Sequence, residues 1–282
     1  MRTRLVIAGL TLLLAACGSG SSDGGKVQTR TVPTAADDVV FRVDTRGGFT
    51  TLESQLSIVP QVTVFGDGRV VVTGPTTEQY PPHALPNLLT GTLPASEIAR
   101  LADRAVELGL LERADYGQPG IADAPSTTVT IGVDGTHEQS AYALDFESGS
   151  MPGLSADDVA ARRRLSAFVR EVTDAASRVA TEPYTPTEVA VVVRPVTGSD
   201  DASGVAPGQA DWPLASDLAT IGTPLPNLDG YRCAVLTGDD ARTALAAAAD
   251  ATSITQWQSG GAAYNVTWRP LLADEHSCPT GP

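Results

Sequence analysis

Lysine is almost missing from this chain: Lys26 is the only one in 282 residues. It falls in a Gly/Ser-rich stretch, so Schiff-base chemistry and lysine-dependent phosphate motifs are excluded from any folded region. Basic residues as a whole are scarce, 19 against 33 acidic, for a net charge of −14. A phosphate backbone would repel such a surface, so the partners include no nucleic acid. Only three histidines are present, His83, His137 and His276, and none stands at H-x-x-x-H or H-E-x-x-H spacing. Three cysteines are too few for a disulfide framework, so neither a metal site nor a cofactor is implied. The carboxylate pairs Asp37-Asp38, Asp157-Asp158, Asp200-Asp201 and Asp239-Asp240 are adjacent in sequence and sit at helix starts or in loops. They suit capping and solubility and lack the separation that glycoside hydrolysis needs, so no catalytic residue is nominated. What the chain does have is 42% hydrophobic residues and 27 glycines, enough for an ordinary globular core.

The N-terminus carries the most specific signal. Arg2 and Arg4 precede an almost unbroken apolar run from Leu5 to Ala16, which ends in Leu14-Ala15-Ala16-Cys17. Twelve residues rise about 18 Å as a helix, short of a hydrocarbon core of roughly 30 Å, so the run is a secretory signal and not a membrane span. This segment resembles the lipobox of bacterial lipoproteins. The resemblance implies cleavage after residue 16, lipidation of Cys17 by acyl chains of the palmitate class, and anchorage on the extracytoplasmic face of the membrane. Residues 17–36 then form a flexible tether that begins Gly18-Ser-Gly-Ser-Ser-Asp-Gly-Gly25. Within it, Gly20-Ser-Ser-Asp-Gly24 fits G-x-S-x-G, and Gly20 to Lys26 fits G-x4-G-K. Neither has the strand before it and helix after it that those motifs require. With Cys17 assigned to lipid by the resemblance, Cys233 and Cys278 remain as a disulfide pair in an oxidising compartment.

The body shows short strands with a few helices, an α+β pattern of mainly antiparallel sheets built from hairpins and arranged in two small units, 37–182 and 183–282. Val39–Val43 and 58–65 are expected strands. Asp67-Gly68 and Asp134-Gly135 punctuate hairpins, the second joining 127–133 to 136–144. The stripe Ile98, Leu101, Ala105, Leu108 predicts a helix over 94–108 that stops at Gly109. A second helix runs from a Ser155 cap to about Ala180, with Arg162-Arg-Arg164 on a solvated, ion-paired face near Asp158. Glu182-Pro183 marks the boundary. Beyond it come the strand Val189–Val193, a long polar loop through Trp212, and the strand Tyr231–Leu236. An alanine-rich helix capped at Thr237 follows, then a last hairpin placing Tyr264, Val266 and Trp268 on one face. Val191-Val-Val-Arg-Pro-Val196 and Val266-Thr-Trp-Arg-Pro-Leu271 look alike; both are read as strands whose proline closes an edge, with an eroded repeat as the alternative. The body resembles uncharacterised lipoproteins of high-GC Gram-positive bacteria through Leu14–Cys17, Phe65-Gly-Asp-Gly-Arg-Val70 and Arg269-Pro-Leu-Leu-Ala-Asp-Glu-His-Ser-Cys278. That family implies no activity.

Asp274, Glu275 and His276 form the densest polar group, and with the Trp212 and Trp257 regions they are the ligand-site candidates. Three functions are consistent with these features. The first is a non-enzymatic interaction or accessory protein of the cell envelope, bound to the membrane through its anchor and facing another envelope protein or a wall polymer. The second is a small-ligand-binding lipoprotein, which needs an aromatic-lined pocket. The third is a hydrolase whose acids or histidines meet only in three dimensions.

Overall fold

The computed structural model describes residues 30–146, 152–198 and 204–280. The leader, Cys17 and the tether up to residue 29 lie outside the described residues.

The first sheet has the strand order β6-β5-β1-β2-β3-β4-β7, with every neighbouring pair antiparallel. Its strands are β1 (Val39–Gly47), β2 (Val62–Phe65), β3 (Arg69–Thr73), β4 (Leu88–Thr92), β5 (Pro125–Gly132), β6 (Thr136–Tyr142) and β7 (Glu182–Pro183). Both Asp-Gly turns are where the sequence places them: Gly68, at φ +89°, follows β2, and Asp134 and Gly135 turn at φ +53° and +121° between β5 and β6. The expected strand over 58–65 is shorter. It begins only at Val62, after Pro60, and before it Thr51 accepts a hydrogen bond from the Ser54 amide and starts an unexpected helix, α1 (Leu52–Ser57).

Helices α2 (Ala95–Glu107) and α3 (Ala156–Val179) cover one face of this sheet. The alternate residues Phe41, Val43, Val62, Val64, Val70, Val72, Val129 and Ile131 meet Ile98, Leu101, Leu165, Phe168 and Val172 in one buried cluster. Ser155 and Asp158 form a capping box at the start of α3. One expectation fails here. Arg162 is not on a solvated face but fully buried, and it donates to the carbonyls of Tyr116 (3.2 Å), Tyr142 (2.8 Å) and Ala143. Asp158 is engaged by Ser155, so the ion pair expected from spacing gives way to carbonyls left over where β6 ends.

The second sheet has the order β10-β11-β8-β13-β12-β9. It comprises β8 (Glu188–Pro195), β9 (Gln209–Asp211), β10 (Thr223–Pro224), β11 (Arg232–Thr237), β12 (Gln256–Ser259) and β13 (Ala262–Pro270), antiparallel except between β9 and β12. Its helix α4 (Gly238–Ala249) follows Thr237, which makes no side-chain capping bond. The two Arg-Pro strands are not edges: β8 and β13 pair with each other at the centre, and Pro195 and Pro270 sit at their C-terminal ends, where a missing N–H costs nothing to the ladder. Val189, Val191, Val193, Tyr264, Val266 and Trp268 face α4, while Ala190 and Val192 face the other way, towards Leu56 of α1 and Leu271. Leu272 crosses to the outer face of the first sheet, onto Phe65 and Val71. The fold is α+β with mainly antiparallel sheets.

Candidate functional site

The C-terminal segment after β13 is a strap between the two sheets. Leu271 and Leu272 seat it by burial, and the backbone carbonyl of Leu271 accepts from the Tyr184 hydroxyl at 3.2 Å. Asp274 then receives both terminal nitrogens of Arg42 of β1, at 2.9 and 2.7 Å. Glu275 receives Arg269 in the same two-pronged way, at 3.1 and 2.6 Å, while Arg269 also donates to the Ile58 carbonyl. His276 meets Glu188 at 3.4 Å on the surface. Cys278 stands at disulfide distance from Cys233 of β11, S–S 2.06 Å, with 45 residues separating them. The acidic residues of this group are therefore bound by guanidinium groups and shaped to hold the strap down.

The tryptophans lie on the opposite face of the second sheet. Trp212, Trp257 and Trp268 form a three-ring cluster with centroids 5.4 to 5.9 Å apart, all buried beneath α4 and the 209–221 loop. The structure thus brings Trp212 together with Trp257, but not with Asp274, Glu275 or His276. Among the described residues the indole nitrogens of Trp212 and Trp268 have no hydrogen-bond partner, and ring packing supplies their contacts. Sequence patterning placed Trp268 on the correct face and missed that it completes the cluster, because the Trp212 loop joins the sheet through the short parallel strand β9 and side-chain bonds to Ser259, which no periodicity announces.

Two of the surface grooves among the described residues bear on the site. One, about 490 Å³, runs between Leu111, Arg113 and Ala114 on one wall and His137 to Ser140 of β6 on the other. The other, about 440 Å³, lies between β3 and α3, lined by Gln61, Val72, Thr73, Val169, Arg170 and Asp174 among others. Neither has an aromatic lining. Gln139 fixes the first groove's walls: its amide donates to the Leu110 and Glu112 carbonyls at 2.7 and 2.8 Å and accepts from the Tyr116 hydroxyl at 2.8 Å. Burial pushes the Tyr116 phenol from 10 up to about 12, against a smaller opposing pull from Arg164. Burial likewise lowers the Arg162 guanidinium below its ordinary value, with Asp158 opposing. The His137 ring nitrogen Nε2 lies 3.1 Å from the Val133 carbonyl, and His83 forms an isolated bridge with Thr252. Among the described residues no cluster of three or more His, Cys, Asp or Glu could hold a metal ion, and no helix is long and apolar enough to cross a membrane.

The chain enters the fold at the β5–β6 turn. Thr31 donates to the Asp134 carboxylate at 2.9 Å and its carbonyl accepts from the Asp134 amide at 2.8 Å, while Arg30 pairs with the same carboxylate. At the opposite end of β5, Phe49 protrudes from the Gly47-Gly48 loop with 93% of its surface exposed. No family model, no curated protein and no solved structure matches this chain.

Proposed function

We propose that the chain is a lipoprotein anchored on the extracytoplasmic face of the membrane, acting without catalysis by presenting its folded body to another envelope protein or a wall polymer. Leu14-Ala15-Ala16-Cys17 at the end of a short apolar run is the observation that carries this reading. The acids of the strap support it, since Asp274 and Glu275 are each taken up in two-pronged arginine contacts that seat the strap. The entry at Asp134 supports it too: eight strand residues of about 3.4 Å each separate that turn from the far end of the sheet, where Phe49 stands exposed. An anchor at one end then presents the other.

Cys17→Ser tests the anchor. The variant is expected in the medium or as an unprocessed membrane form; normal retention at normal mature size overturns the proposal. For the interaction, a photocrosslinker at Phe49 in the membrane-bound protein is expected to capture a defined partner absent from a control lipoprotein.

A further inference from the structure

We propose that the free edge of β6 docks an extended peptide segment of a partner protein, which adds to the first sheet as an eighth strand. The inference rests on the interaction-protein reading and names its surface.

The two sheets have four edges, and three are blunted. β7 and β10 are two residues long and contain Pro183 and Pro224, and β9 has three residues. Short strands and prolines are how proteins prevent stray pairing. β6 has seven residues, Thr136-His-Glu-Gln-Ser-Ala-Tyr142, with neither proline nor lysine. Its hydrogen-bonding parity follows from two contacts. The Ala143 amide donates inward to the Pro125 carbonyl, so the odd residues face β5, and the Tyr142 carbonyl points outward to Arg162. The outward groups are therefore the N–H and C=O of Thr136, Glu138 and Ser140, and the N–H of Tyr142. Among the described residues none of these has a backbone or side-chain partner, and Thr136, Glu138 and Ser140 are exposed. Arg162 closes the ladder at its Tyr142 end, which sets the length of strand the edge can take.

The flanking groove supplies side-chain discrimination. Leu111 and Ala114 give it an apolar wall, held in place by Gln139. Around it Glu112, Asp115, Glu138 and Arg113 are exposed, and among the described residues none of the four has an ion-pair partner, which leaves the rim net acidic. An added strand alternates its side chains, so the fitting segment carries apolar residues towards Leu111 and Ala114 and cationic residues opposite Glu138.

The probe is a blocked heptapeptide alternating lysine and valine, titrated into the full-length protein in detergent micelles, with amide exchange followed by NMR. The amides of Thr136, Glu138, Ser140 and Tyr142 are expected to slow about tenfold or more at saturation, while His137, Gln139 and Ala141, already bonded to β5, stay as they are. Ser140→Pro removes one outward donor where proline is tolerated and is expected to weaken binding about tenfold. Glu138→Arg leaves the edge intact and is expected to favour the glutamate-valine peptide over the lysine-valine one. Absent protection, protection without the alternation, or unchanged binding by both variants overturns the proposal. Concentration-dependent protection of the same amides without peptide also overturns it, since the occupant is then a second copy. Anchorage plays no part in this readout, so a failed anchor test and a failed edge test are distinguishable.

Discussion

Arg162 joins three carbonyls from two separate segments, the 110–120 loop and the exit of β6, and no carboxylate shares its burial. Truncating it leaves those acceptors without a donor in a dry site, so Arg162→Met is expected to cost about 2–4 kcal/mol in denaturant unfolding. Neighbouring Arg163 and Arg164 are exposed, and Arg163→Ala is expected to stay within about 0.5 kcal/mol. Tyr116 gives a complementary test at high pH. Its folded-state pKa is raised to about 12, so its contribution is intact below its ordinary value of 10 and is lost as pH rises through about 12. Absorbance titration should show one phenol ionising late, and Tyr116→Phe should flatten that part of the stability profile. Asp158 works in the opposite direction. Its bonds from the Ser155 amide and hydroxyl hold its carboxyl below the usual range, so the cap is present above about pH 4 and lost as pH falls through the lowered value. Asp158→Asn should remove that acid-side dependence.

Between elements, one close approach is at β4. A Cβ on Gly91 would overlap the Val179 carbonyl at the end of α3, backbone against backbone, so no side-chain adjustment relieves it. Gly91→Ala is expected to destabilise by about 3 kcal/mol or more, measured by thermal unfolding, or to prevent folding. Sequence reading missed β4 altogether, and the reason is visible in its composition: Leu88-Leu-Thr-Gly-Thr92 has two β-branched residues against four in β3, and a glycine that serves a close contact at a cost in strand propensity. The hairpins at Asp67-Gly68 and Asp134-Gly135 and the stripes of α2 and α3 were legible because turn chemistry and periodicity are local. The central pairing of β8 with β13 was not, since 66 or more residues separate the strands and only their shared Arg-Pro ending hinted at a relation. The same holds for the site. Asp274 and Glu275 stand out as a polar group in sequence, whereas Arg42, 232 residues away, gives no sign of being the partner. The outward groups of β6 belong to the backbone, and no side-chain pattern announces them.

For the molecule as a whole, the strap decides how far the two sheets behave as one. Leu56 belongs to the 37–182 segment yet is buried among Ala190, Val192, Leu225 and Leu271, while Leu272 is buried against Val59, Phe65, Val71 and Leu88. Each sheet has a main core of its own, and the two small clusters around Leu56 and Leu272 couple them by apolar burial in both directions, so a single cooperative transition is expected by calorimetry and by denaturant. The link Cys233–Cys278 closes a 45-residue stretch, worth about 4 kcal/mol in the chain-entropy model. Because it ties the strap only to β11, its loss and the loss of the Arg42–Asp274 pair act on different parts of the coupling. Cys233→Ser with Cys278→Ser is expected to lower the whole transition while keeping it single. Asp274→Asn weakens a half-buried ion pair worth about 1 kcal/mol, and combined with Leu272→Ala it removes two of the strap's holds on the first sheet. That double variant should split unfolding into two steps seen by tryptophan fluorescence and far-UV circular dichroism at different denaturant concentrations, since all three tryptophans report only on the second sheet. Coincident curves in the double variant would show that the remaining contacts, Leu56 and the Arg269 bond to the Ile58 carbonyl among them, suffice to hold the sheets together.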